Sequence, residues 1–134
     1  MPEADVIGLG MWVDAETASH FGVFFSPRER PDRLAFFLQK PKPAEILRHA
    51  VDHLFLVDTG LWLLSARAVS VLFKKCGWDE SRGDFPGGVP GFYELYAGMG
   101  PCLGTDPLER DADISPLSCA VVPLPDAEIG RAHV

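Results

Sequence analysis

Lys40 closes an apolar run, residues 34–39, and Pro41 follows it directly. A strand that ends on Lys-Pro leaves an ammonium at its tip, and the strand tips of open α/β sheets are where ligands bind. An ammonium there neutralises a phosphate as a point charge. The plain alternative is a lysine standing in water at the start of a loop. Asp58, Thr59 and Gly60 interrupt a second apolar run, which occupies residues 54–57 and resumes at 61–64. A polar break inside a core strand costs free energy unless its groups are paired. The triplet is therefore either a bulge held by local hydrogen bonds or an elbow that faces a ligand. Tyr93, Glu94, Leu95 and Tyr96 combine one carboxylate with two phenols. The competing reading there is a helix with packed rings and a solvated Glu94.

Other reactive side chains show no such pattern. The histidines, at positions 20, 49, 53 and 133, have no metal-ligand spacing, and His49 and His53 straddle an expected helix end. Helix packing or solvent accounts for them. Cys76, Cys102 and Cys119 are odd in number, widely spaced and without a CxxC pair. They read as small, buried thiols in a reducing cytoplasm, not as a disulfide or zinc framework. No GxSxG, P-loop or HExxH is present, and Gly87-Gly88 lacks the Lys-Ser/Thr of a phosphate cradle.

Alternating strands and helices must hold these groups. Residues 6–13 form a nearly unbroken apolar stretch, as in a strand covered on both faces. Asp14 can cap a short helix over 15–20. Residues 22–25 and 34–39 read as strands, with a charged turn at Pro27, Arg28, Arg30 and Pro31 between them. Pro43 suits the first turn of a helix that carries Ile46, Leu47, Ala50 and Val51. Ser65 caps another, in which Val69, Leu72, Phe73 and Cys76 share one face, with Lys74 and Lys75 in its last turn and Gly77 closing it. Residues 79–91 read as a loop, 92–99 as a short aromatic helix, 101–116 as irregular and 118–122 as a strand. This alternation argues for an α/β layered fold.

Length and composition narrow the function. The chain has 134 residues, and 12 basic against 19 acidic residues give a net charge of −7. That balance lacks the basic footprint of a nucleic-acid binder. No apolar run approaches the roughly 20 residues needed to cross a bilayer. No signal peptide precedes residue 6, so a cytoplasmic protein is expected.

The ordered string says more than any single motif. It runs Ala4-Asp5-Val6, Gly10-Met-Trp-Val13, His20-Phe-Gly-Val-Phe24, Phe37-Leu-Gln-Lys-Pro41, the stretch from His53 to Ser65, Tyr93-Glu-Leu-Tyr96, Leu103-Gly-Thr105 and Ala120-Val-Val-Pro-Leu-Pro125. Over about residues 3–126 it resembles the nucleotidyltransferase region of the fucokinase/L-fucose-1-phosphate guanylyltransferase family. The resemblance implies a Rossmann-like sheet with helices on both faces, as in sugar-nucleotide pyrophosphorylases. It implies transfer of GMP from GTP to L-fucose 1-phosphate, giving GDP-L-fucose and pyrophosphate, in a parent that can also carry L-fucokinase activity. Lys40 matches the sugar-phosphate lysine of the Glu-Lys-Pro motif, with Gln39 in place of its Glu. Asp58, Thr59 and Gly60 match the Asn/Asp-x-Gly break that faces the sugar, and Glu94 matches a carboxylate near the same pocket. Mg²⁺ is implied for the complete enzyme, with its ligands outside this chain.

Residues 1–127 thus read as part of a guanylyltransferase domain, without its Gly-rich nucleotide loop or its C-terminal portion. The tail, Glu128-Ile-Gly-Arg-Ala-His-Val134, resembles the in-frame translation of a common sequencing adapter and is set apart from the fold. The isolated chain is expected to have little activity and to expose apolar strand surface. Two other readings stay open. One is a nucleotidyltransferase for another sugar 1-phosphate, and the other is a non-catalytic module that binds a sugar phosphate.

Overall fold

A computed structural model of the chain describes residues 3–87 and 95–125. Five strands form one sheet: β1 (Val6–Met11), β2 (Gly22–Pro27), β3 (Phe36–Gln39), β4 (His53–Leu64) and β5 (Cys119–Pro123). Their order across the sheet is β3-β2-β4-β1-β5. Three neighbouring pairs run antiparallel, and β1 with β5 runs parallel. The expected mixture of strands and helices is present. The strand directions differ from the mostly parallel sheet of a doubly wound fold, because β2 pairs antiparallel with both β3 and β4, and β4 pairs antiparallel with β1.

Helices cover both faces. Residues 22–26 of β2 are all buried, as a strand between two layers requires. Successive side chains point to opposite faces. Val23 and Phe25 therefore meet Ala18 of α1 (Ala15–Ala18) and Ile46 of α2 (Pro43–His49), while Phe24 points into a second core with Ala68 of α3 (Ala66–Lys75). Phe25 is fully buried, and such burial stabilises by about 1.5–3 kcal/mol.

The helix ends follow local chemistry. Asp14 Oδ1 accepts the Thr17 amide at 2.8 Å, and Pro43 opens α2. The first helix ends at Ala18, sooner than expected, with the His20 amide still bonded to the Thr17 carbonyl. Ser65 Oγ accepts the Ala68 amide at 3.0 Å to start α3. At its other end, the Gly77 amide bonds to the Lys74 carbonyl and the Trp78 amide to the Phe73 carbonyl. This is a Schellman closure, and Gly77 supplies its left-handed residue at φ 94°.

Two expectations need correction. The core face of α3 is Ala68, Val71 and Leu72, whereas Val69 and Phe73 are exposed. Phe73 instead meets Trp78 and Phe85 of the following loop, at ring separations of 5.9 and 6.2 Å. The third strand begins at Phe36, not at residue 34. Leu34 and Ala35 cross between strands, their amides bonding to the Cys119 and Phe25 carbonyls.

Asp5 ties three segments together. Its carboxylate accepts the Ser65 hydroxyl at 2.7 Å and the Ser118 amide at 3.1 Å, and Arg67 stands 3.5 Å away. The start of β1, the cap of α3 and the entry to β5 are thereby joined. Of the expected aromatic helix over 92–99, residues 92–94 lie outside the described residues. Leu95–Met99 forms a π-helical turn, followed by a 3₁₀ turn at Gly100–Cys102.

Candidate functional site

The ends of β1 and β3 and the middle of β4 border an open cleft of about 740 Å³. Lys40, Asp58, Thr59 and Gly60 all line it. Residues 18 positions apart in sequence thus share one concave surface. The sheet order explains this, because β2 alone separates β3 from β4.

Lys40 is exposed and stands just past β3. Its φ is 49°, and among the described residues it is the one non-glycine with a positive φ. That conformation costs an L-residue roughly 1–2 kcal/mol. It is held by the Lys40 amide, which bonds to the Phe21 carbonyl at 2.9 Å, and by the Gly22–Gln39 pair beside it. Strained backbone that is fixed by its surroundings concentrates at binding sites. Pro41 then stops the strand.

The Asp58-Thr59-Gly60 break lies within one continuous strand, β4. Gly8 pairs with Trp62 and Gly10 with Asp58, so β4 carries two extra residues against β1. Gly60 takes φ 87°, which its lack of a side chain permits. Asp58 Oδ1 accepts the Gly60 amide at 2.8 Å and the Trp62 indole N–H at 2.9 Å. Thr59 Oγ1 donates to the Leu9 carbonyl at 2.8 Å. The break is therefore a bulge with local hydrogen bonds, and it also borders the cleft. Asp58 is only 8% exposed, and burial pushes its carboxyl above the usual range, opposed by the Gly60 amide and the Trp62 indole.

The rest of the cleft was not legible in the sequence. Met11 and Val57, a cross-strand pair, make an apolar wall with Val13. Thr17, His20 and Gln39 border the side nearest α1 and Lys40. His20 had no metal spacing to mark it; only the β2–β3 register brings it near Lys40. Tyr96 lines the cleft too, its ring 6.1 Å from Phe37 and 5.6 Å from Trp62. Glu94, Tyr93 and the tail 128–134 lie outside the described residues.

His49 and His53 are away from the cleft. They pack against Phe36 at ring separations of 4.9 and 5.1 Å, and burial, aided by Arg48, holds His49 below the usual imidazole range. The three cysteines are free thiols, and burial pushes Cys119 up to about 11. Among the described residues, no three His, Cys, Asp or Glu side chains converge to hold a metal. The cleft's described carboxylate is Asp58, whose Oδ1 is already committed, so this surface alone does not fit a Mg²⁺ site. Among the described residues, no helix is long and apolar enough to cross a membrane.

No protein-family model matches the chain. Over 128 residues, 96% of its length, the chain is 45% identical to a protein of Bacteroides fragilis described as L-fucokinase/L-fucose-1-P guanylyltransferase. It spans 13% of that relative's own length.

Proposed function

The chain is homologous to a region of the L-fucokinase/L-fucose-1-P guanylyltransferase family, and from that premise we propose that it forms the sugar-phosphate side of a nucleotidyltransferase domain. The full-length enzyme transfers GMP from GTP to L-fucose 1-phosphate and releases pyrophosphate. The mixed sheet belongs, on this reading, to a Rossmann-like nucleotidyltransferase domain. The observation that carries the proposal is the shared cleft of Lys40 and the Asp58 bulge.

The chemistry asks for charge control more than for acid or base work. A phosphate oxygen of the sugar phosphate attacks the α-phosphorus of GTP in line. Lys40 holds the attacking phosphate as a point charge and moves no proton. The Asp58 carboxylate accepts from sugar hydroxyls, since Oδ2 has no hydrogen-bond partner among the described residues. Thr59 and Gly60 shape the wall that presents it, and Glu94 is proposed as a further sugar contact. When bound to the full-length enzyme, Mg²⁺ would offset charge on the GTP phosphates, and on this reading its ligands are not among the described residues of the cleft. We assign the full-length enzyme to the cytoplasm, where three free thiols stay reduced.

Measuring the two activities separately in the full-length polypeptide tests this assignment. Lys40→Ala should lower guanylyl transfer and leave fucokinase activity in place. Loss of kinase activity with transfer intact would assign the cleft to the other reaction.

A further inference from the structure

A carboxylate that accepts from a sugar hydroxyl has to hold one orientation, because freely turning side-chain torsions would spread its oxygens over the cleft. We infer that Trp62 is the positioning residue for Asp58, its indole N–H holding one carboxylate oxygen so that the other faces the substrate. The inference rests on the proposed sugar contact of Asp58 and goes further, to what orients that contact.

The bulge in β4 brings the two side chains together. In an unbroken strand, positions 58 and 62 would lie about 13 Å apart at roughly 3.3 Å per residue. Here Trp62 pairs with Gly8 and Asp58 with Gly10, so they stand opposite positions two residues apart on β1. That separation is only about 7 Å. Alternate positions face the same side of a sheet, so the two side chains rise together. Gly8 and Gly10 bring no side chain between them. The indole Nε1 then donates to Asp58 Oδ1 at 2.9 Å, and the Gly60 amide donates to the same oxygen at 2.8 Å. Two donors on Oδ1 fix the carboxylate plane. Oδ2, without a hydrogen-bond partner among the described residues, is left to accept from a ligand.

Trp62 is itself held in place. Its ring lies 6.1 Å from Phe24, 5.7 Å from Phe37 and 5.6 Å from Tyr96. Phe24 and Phe37 are buried side chains of β2 and β3, so the indole is braced by two further strands. Trp62 does not line the cleft and therefore acts through Asp58. Burial raises the Asp58 carboxyl, while the Gly60 amide and the indole both favour its ionised, accepting form.

The test measures guanylyl transfer by the full-length polypeptide in native, Trp62→Phe, Asp58→Ala and double-variant forms. Trp62→Phe keeps an aromatic ring and removes the donor. It should raise KM for L-fucose 1-phosphate about tenfold and leave KM for GTP unchanged. Asp58→Ala should also raise KM for the sugar phosphate. Adding Trp62→Phe to it should change that KM by less than about twofold, because the pair acts as one unit. If Trp62→Phe fails to fold, benzothienylalanine in place of Trp62 decides, since it keeps the ring shape and carries sulfur where the N–H stood. An unchanged KM in Trp62→Phe beside a raised one in Asp58→Ala overturns the inference and leaves the guanylyltransferase reading in place. So does an equal effect of Trp62→Phe with and without Asp58, or a matching rise in KM for GTP. An unchanged KM in Asp58→Ala would overturn the proposed sugar contact and the inference with it.

Discussion

Lys40 carries strain and charge in one residue, and the two can be separated. Lys40→Gly relieves the positive φ, whereas Lys40→Ala keeps it. The glycine variant should therefore be the more stable of the two by about 1 kcal/mol in urea unfolding. Both should raise KM for the sugar phosphate by about 10- to 100-fold, from loss of one charged contact. Asp5 and Asp58 make a second contrast. The Ser65 hydroxyl chiefly holds Asp5 below the usual carboxylate range, so its stabilisation is present above the unfolded pKa and lost as pH falls through the folded one. Asp58 has the opposite shift, so its contribution becomes less favourable as pH rises through the interval between the unfolded and folded values. Asp5→Asn should lower the melting temperature at neutral pH. Asp58→Asn, which keeps the Oδ1 acceptor, should raise it while impairing sugar-phosphate use. Both differences should shrink on acidification through the carboxylate range, which thermal melts across pH will show.

The capped helices show where local sequence suffices and where it does not. Asp14, Ser65, Pro43 and Gly77 each perform the role that their chemistry suggests. Ser65→Ala removes both the Ala68 amide bond and the Asp5 bond, so it should cost about 1–2 kcal/mol in equilibrium unfolding. The buried stripe of α3 was less legible. Val69 and Phe73 are at helical spacing and strongly apolar, yet Ala68, Val71 and Leu72 meet the core. Phe73 serves the Trp78–Phe85 loop instead, a tertiary contact that periodicity does not encode. The Asp58 bulge was legible as a break in β4. That Met11 and His20 border the same cleft depends on strand pairing between distant segments, which no local pattern carries.

Strand order joins these parts into one surface. Placing β2 between β3 and β4 brings Lys40 and Asp58 together, and the parallel β1–β5 pair is locked to α3 through Asp5. The same arrangement leaves Leu61 and Leu63 of β4 60% and 46% exposed. Apolar side chains near each other on one face favour association. Sedimentation should therefore show concentration-dependent self-association of the 134-residue chain, reduced in the double variant Leu61→Glu, Leu63→Glu without loss of the folded state. The most direct check on the cleft is a titration of the isotopically labelled chain with L-fucose 1-phosphate, followed by amide NMR. Shifts should concentrate at Lys40, Asp58, Thr59 and Gly60 and disappear in Lys40→Ala. Saturating shifts elsewhere, such as around His49 and His53, or shifts that survive Lys40→Ala unchanged, would contradict the assignment of this cleft to a sugar phosphate.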